Sequence, residues 1–135
     1  MKIAQLFGHH LEINNINKVT LEGKKGAIVK VLGCGLCGSD IVKFQHGLAQ
    51  DGTVLGHEIV AIIEDINSDT NFKIGDRIVC SHHIPCFECH YCKGGSYSMC
   101  RHFKQTNIIP GGFSEYVYLS EEHLQNVAHK VPTNM

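Results

Sequence analysis

Four cysteines within fifteen residues constrain this chain more than any other feature. Cys86, Cys89, Cys92 and Cys100 follow the spacing C-x2-C-x2-C-x7-C inside PCFECHYCKGGSYSMCR, residues 85–101. Gaps of two residues let a tight turn aim successive sulfurs at one point, and Gly94–Gly95 lets the chain reverse to deliver Cys100. Four thiolates suit tetrahedral zinc at roughly 2.3 Å and leave no position open, so the expected site is structural. Such an ion would fix a loop that has little apolar content of its own. A [4Fe–4S] run also begins C-x2-C-x2-C, but its fourth cysteine follows after three residues and precedes a proline. Here the gap is seven and Arg101 follows. Two disulfides would need an oxidising compartment. With four sulfurs completing the shell, His90 and His102 are expected to face solvent.

The rest of the composition agrees with a small metal-binding domain. Seven Cys and ten His stand among 135 residues, an excess that points to metal, and an odd cysteine count argues against a closed disulfide framework. A formal charge of −1 gives no reason to expect nucleic acid or an anionic membrane as partner. The start, MKIAQLFGHHLEINN, lacks the basic head and continuous apolar stretch of a secretory signal. No run approaches the ~20 apolar residues of a membrane span. The expected location is cytoplasmic, where thiols stay reduced.

Periodicity predicts short strands at Lys2–Phe7, Ala27–Leu32, Glu58–Ile66, Arg77–Cys80 and Phe113–Leu119. One short helix is expected over Ser39–Gln45, with Ser39 as its cap. Cys80 reads as a buried strand residue, and His9, His10, His123 and His129 as surface residues without a partner pattern. Many short strands and few helices imply a mainly β fold, a small barrel or sandwich.

A second constellation lies upstream. Cys37 and His57 are two of the N/S donors that catalytic zinc sites use, which still need a third protein ligand and an open position. Asp40 and Glu58 are carboxylates placed to orient His57, and Ser39 puts a hydroxyl two residues from Cys37. Each alone is weak, because a lone Cys is more often a small buried hydrophobe. The same stretch, Gly33-Cys34-Gly35-Leu36-Cys37-Gly38, matches the dinucleotide fingerprint G-x-G-x-x-G, with Glu58 twenty residues on. The helix that follows is too short for a crossover and no strand–helix alternation continues, so that reading is rejected. Cys34–Cys37 as a C-x2-C redox pair fails for want of a thioredoxin-like helix pattern.

Taken in order, GLCGSD, VLGHE at Val54–Glu58, KIGDRIV at Lys73–Val79, the cysteine run and PGGFSEYV at Pro110–Val117 resemble the zinc-dependent medium-chain alcohol dehydrogenases. The resemblance runs from about Ile28 to Pro132, and CGSD with HHIPC at His82–Cys86 is similar to the sorbitol and threonine dehydrogenase-like branch. It implies a GroES-like β-barrel with a short helix and a structural-zinc lobe at about 85–101. It implies a catalytic zinc on Cys37 and His57 with Glu58 beside it, Asp40 supporting and Ser39 in the proton relay. It further implies Lewis-acid activation of a small-molecule secondary alcohol, hydride transfer to NAD(P), and a homo-oligomeric parent.

Two departures accompany the resemblance. Val42 stands where many relatives carry a relay histidine. Residues 1–135 would be the N-terminal catalytic domain alone, with the Rossmann domain and a remaining zinc ligand absent, and inactive by themselves. The competing expectation is a non-enzymatic zinc-binding structural or interaction module, in which Cys37, Ser39 and His57 serve only the fold.

Overall fold

The computed structural model describes residues 1–132. β1 (Lys2–Phe7) and β2 (His10–Asn15) form a hairpin, and β1 also pairs with the two-residue β4 (Thr53–Val54). The larger sheet joins β3 (Gly26–Gly35), β5 (Glu58–Ile66), β6 (Arg77–Cys80), β7 (Tyr116–Ser120) and β8 (Ala128–Lys130) in the order β7-β3-β5-β6-β8. Every pair in both sheets is antiparallel. This is the expected strand-rich, GroES-like architecture, with the short helix α1 at Gly38–His46.

Alternation drives the larger sheet. Ile59, Ala61 and Ile63 of β5 point into the core, and Ile78 of β6 with Val117 and Leu119 of β7 meet them there. Three successive residues of β3, Ala27, Ile28 and Val29, are all buried. A register shift against β5 between Ile28 and Val29 accounts for the break in alternation.

Residues 113–115 stitch the two sheets together. Ala4 N–H donates to the Phe113 carbonyl (2.9 Å), Glu115 N–H to that of Lys2 (3.0 Å), and Val31 N–H to that of Glu115 (2.9 Å). The turn before them presses against the strip that precedes β5. Gly112 N–H donates to Gly56 O at 2.7 Å, and Phe113 N–H to Leu55 O at 2.9 Å. Gly111 has φ +152°, and a Cβ there would lie 2.2 Å from the Val54 carbonyl oxygen, so only glycine permits this approach.

Five sequence expectations are corrected. Ser39 does not cap α1; Cys37 is the cap residue, and the Asp40 carboxylate reaches back to the Cys37 N–H at 3.1 Å. A second helix of that scale, α3 (Glu121–Asn126), was hidden because six residues carry no readable period; its cap is Ser120, which accepts from the His123 N–H. His123 lies on that helix and is 3% exposed, not a surface residue, with Nδ1 2.7 Å from Ser120 Oγ and Nε2 3.1 Å from the His82 carbonyl. His9, His10 and His129 are exposed, and Cys80 is buried in β6, as expected. The strand expected at Phe113–Leu119 begins only at Tyr116, because its first residues are the stitch. His90 faces solvent, whereas His102 is half-buried and paired with Glu122 at 2.6 Å. Among the described residues no helix is long and apolar enough to cross a membrane.

Ile63 has no exposed surface, so Ile63→Ala is expected to cost about 2–5 kcal/mol in urea denaturation of the zinc-loaded protein. Burial holds the His123 imidazole below its ordinary value. The unfolded chain therefore takes up that proton first, near pH ~6.5, and the stability is complete above that pH and declines as the pH falls toward the lowered folded value. His123→Gln is expected to flatten the loss of stability as the pH falls below about 6.5 relative to the wild type, read from parallel denaturation curves.

Candidate metal centres

The cysteine lobe begins where the chain leaves β6. A turn at Cys86–Cys89 leads into a single helical turn, α2 (His90–Lys93), and a 3-10 turn at Tyr97–Met99 returns Cys100 to the start. Single ligand atoms of Cys86, Cys89, Cys92 and Cys100 all lie within 4.8 Å of one another. Sγ–Sγ separations are 3.5 Å for Cys89–Cys92 and 3.9 Å for Cys86–Cys92, and no disulfide forms. A zinc tetrathiolate with 2.3 Å bonds has sulfurs ~3.8 Å apart, so these four are spaced for one ion between them.

Backbone amides prepare the lobe for thiolate. Cys86 N–H donates to Cys100 Sγ (3.4 Å), and Cys89 N–H to Cys86 Sγ (3.3 Å). N–H groups of Cys86 and Phe103 hold the Cys100 thiol down at about 6. Burial pushes Cys92 up to about 12, the cost that a bound cation would offset. The donor set and its spacing fit a structural zinc.

The upstream constellation is assembled by the pairing of β3 with β5. Their ladder ends at Gly35 opposite Glu58, which brings the loop carrying Cys37 against the residue before β5, His57. Ligand atoms of Cys37, His57 and Glu58 lie within 4.8 Å of one another. A Cβ on Gly35 would sit 2.3 Å from Glu58 Oε2. The glycine that imitated a nucleotide fingerprint makes room for this carboxylate instead.

Asp40 is 2% exposed and bonded on both oxygens. Oδ2 accepts from Cys37 N–H at 3.1 Å, Oδ1 accepts from Gly56 N–H at 3.2 Å, and Oδ1 lies 3.5 Å from His57 Nδ1. One buried carboxylate thus ties the Cys37 loop to the His57 strip. Ser39 is exposed on the first turn of α1, on the solvent side of this arrangement.

His57 and Glu58 open into a cleft of about 950 Å³ whose wall includes Val60, Val79 and Phe87. Its lining also includes His82 and His83, neither of which sequence reasoning placed at the site. The His82 ring centroid lies 4.5 Å from that of His57, and His83 follows at 3.8 Å. Burial, reinforced by His83 and His57, pushes His82 down to about 4. A signal existed, because β5 pairs with β6 through Ile59 and Cys80. Extending that antiparallel register by two residues sets His82 opposite His57.

Comparison with known proteins places these features in a family. The profile of the alcohol dehydrogenase GroES-like domain matches residues 23–132. D-xylulose reductase A of Aspergillus oryzae is 34% identical over 150 aligned positions, covering 99% of this chain and 40% of the relative. A probable D-xylulose reductase A of Aspergillus terreus is 34% identical, covering 82% of this chain and 34% of the relative. Among solved structures, galactitol-1-phosphate dehydrogenase from Escherichia coli superposes with a TM-score of 0.81 at 29% identity, covering all of this chain and 39% of that one. The chain therefore spans about two-fifths or less of the length of these relatives. With the profile covering most of its length, including every strand of the larger sheet, the chain belongs to the alcohol dehydrogenase GroES-like domain family.

Proposed function

We propose that this chain is the N-terminal, zinc-holding catalytic part of an alcohol or polyol dehydrogenase that passes hydride from a secondary alcohol to NAD(P). The convergence of Cys37 with His57 and Glu58, the last two of which line the cleft, carries this reading. A purely structural zinc module leaves that convergence without a use.

Cys37 and His57, with Glu58 as the adjacent third donor, would hold the ion, and zinc bound there supplies Lewis acidity that lowers the pKa of an alcohol hydroxyl. Asp40 faces Nδ1 of His57 and so leaves Nε2 as the free donor, while its bond to Cys37 N–H fixes the loop that carries the sulfur. Ser39, exposed on the first turn of α1 two residues after Cys37, would hand a proton outward by its hydroxyl. Val60, Val79 and Phe87 give the cleft a partly apolar wall against which an alcohol's carbon chain would pack.

Cofactor binding is assigned to residues outside this chain. Among the described residues every strand pair is antiparallel, and α1, which follows the glycine run, is only nine residues long. In the same reading the protein works in the reducing cytoplasm on a small-molecule alcohol, and the complete enzyme is a homo-oligomer. All seven cysteines are unpaired, which suits that compartment.

The purified chain is expected to hold one zinc ion tightly, measured by elemental analysis. Cys92→Ser is expected to lose that ion, whereas Cys37→Ser and His57→Ala retain it. In cobalt titrations followed by absorbance, Asp40→Ala is expected to weaken the second site about 10–100-fold while sparing the lobe. With NAD or NADP and a panel of polyols, secondary alcohols and threonine, the 135-residue chain is expected to show no turnover. A protein extended to the length of its relatives is expected to turn over. Robust turnover by the chain alone would overturn this division of labour, and none by the extended protein would overturn the dehydrogenase reading.

A further inference from the structure

The hydrogen bonding of β1 fixes which backbone groups of β2 are left over. Lys2, Ala4 and Leu6 turn theirs away from the hairpin. Ala4 N–H donates to the Phe113 carbonyl, while the carbonyls of Lys2 and Leu6 accept from the N–H groups of Glu115 and Gly52. Their neighbours Ile3, Gln5 and Phe7 therefore face β2, where the register sets them opposite Asn14, Glu12 and His10. Met1 and Ile16, bonded in both directions at 2.6 and 3.0 Å, continue the same alternation. The N–H and C=O groups of Leu11, Ile13 and Asn15 then point outward, and β2 pairs only with β1 among the described residues.

Side chains add an apolar flank to that open edge. Leu11 and Ile13 share one face of β2, and Leu11 lines a groove of about 350 Å³ with Leu36, Ile41 and Phe44 beside α1. Leu11, Ile13, Leu36 and Ile41 are 50%, 69%, 65% and 42% exposed. The strand lacks the usual devices that blunt an edge, since HLEINN has no Lys, no Pro and no bulge against β1.

An outward row of donors and acceptors suits another extended strand, and β2 is complementary to itself. Antiparallel pairing about Ile13 sets Leu11 opposite Asn15 of the second copy and Glu12 opposite Asn14, so no like charges meet. Moving the centre to Glu12 would oppose two carboxylates. The edge and its flank would bury about 500 Å² per copy, below the ~800 Å² of a standard interface, which is enough for a weak dimer.

We propose that the outer edge of β2 is a homotypic docking surface, on which a second copy of this chain adds its own β2 antiparallel about Ile13. The two three-stranded sheets then join into one. This rests on the homo-oligomer reading given above, to which it assigns a contact, and makes no use of the zinc chemistry.

The test combines sedimentation equilibrium and amide hydrogen exchange on the zinc-loaded chain. A monomer–dimer equilibrium with a Kd of about 10–100 μM is expected. The amides of Leu11, Ile13 and Asn15 are expected to exchange about fourfold more slowly at ~500 μM than at ~5 μM, while those of Glu12 and Asn14 do not change. Ile13→Pro removes an N–H that β1 does not use, and is expected to raise Kd about tenfold with the melting temperature unchanged. Ile13→Lys, which sets two ammonium groups against each other, is expected to do the same, and Ile13→Val to stay within about twofold.

A chain that stays monomeric over this range, a dimer insensitive to both Ile13→Pro and Ile13→Lys, or a dimer that leaves the Asn15 amide unprotected would overturn the inference. So would a monomeric chain whose three amides are protected only by an added hexapeptide of alternating threonine and valine, which would make a foreign strand the occupant. If a protein extended to the length of its relatives assembles while the chain stays monomeric, the edge pairing alone has failed. If the chain dimerises through these amides and the extended protein is monomeric, the homo-oligomer reading has failed and the edge pairing of the chain stands.

Discussion

The carboxylate of Asp40 is the joint on which the candidate active centre depends. A buried charge is costly unless its lone pairs are filled. Here two backbone amides, from Cys37 and Gly56, fill them, and the His57 imidazole lies alongside. The Gly56 amide reaches Asp40 from sixteen residues along the chain. The same group therefore starts α1, locks the strip before β5 and faces the imidazole of a candidate metal donor. Removing it would leave two buried amides unpaired as well as an unoriented imidazole, which is why its effect should reach beyond a single contact.

The two sulfur-bearing sites are built on opposite principles. In the lobe the four donors come from one short stretch, are turned inward by local geometry, and are bonded by neighbouring amides. Such a site is closed and contributes to folding. Cys37, His57 and Glu58 instead come from two strands' ends, and His57 and Glu58 line a cleft. What links the two sites is the strip from Ser81 to Cys86, which runs from the cleft wall directly into the first lobe cysteine.

Much of this was legible in the sequence where short-range chemistry decides it. The cysteine spacing specified the lobe because all four ligands lie within one loop. The alternation in EIVAIIEDI specified β5 because one face is fully buried. Where long-range packing decides, the signal faded. His123 carries no pattern of its own, and its burial follows from the docking of α3 on β3 and β7 and from a carbonyl forty-one residues away. Ser39 was the better cap by residue type, but the carboxylate at Asp40 moved the helix start back to Cys37. His82 became visible only once the register between β5 and β6 was known, since a pair of adjacent histidines says nothing about which ring faces which neighbour.

The stitch at residues 113–115 also bears on how the chain assembles. Lys2 N–H donates to the Glu115 carboxylate across 113 residues, and the backbone bonds beside it span almost the same distance. Contacts of such separation form only after most of the chain has been drawn in, because the entropy of closing so large a loop comes first. The lobe closes a loop of fourteen residues from its first sulfur to its last. Metal can therefore organise the lobe before the small sheet has a surface to join. The N-terminal strand, first in the sequence, is by this reasoning among the last to be secured.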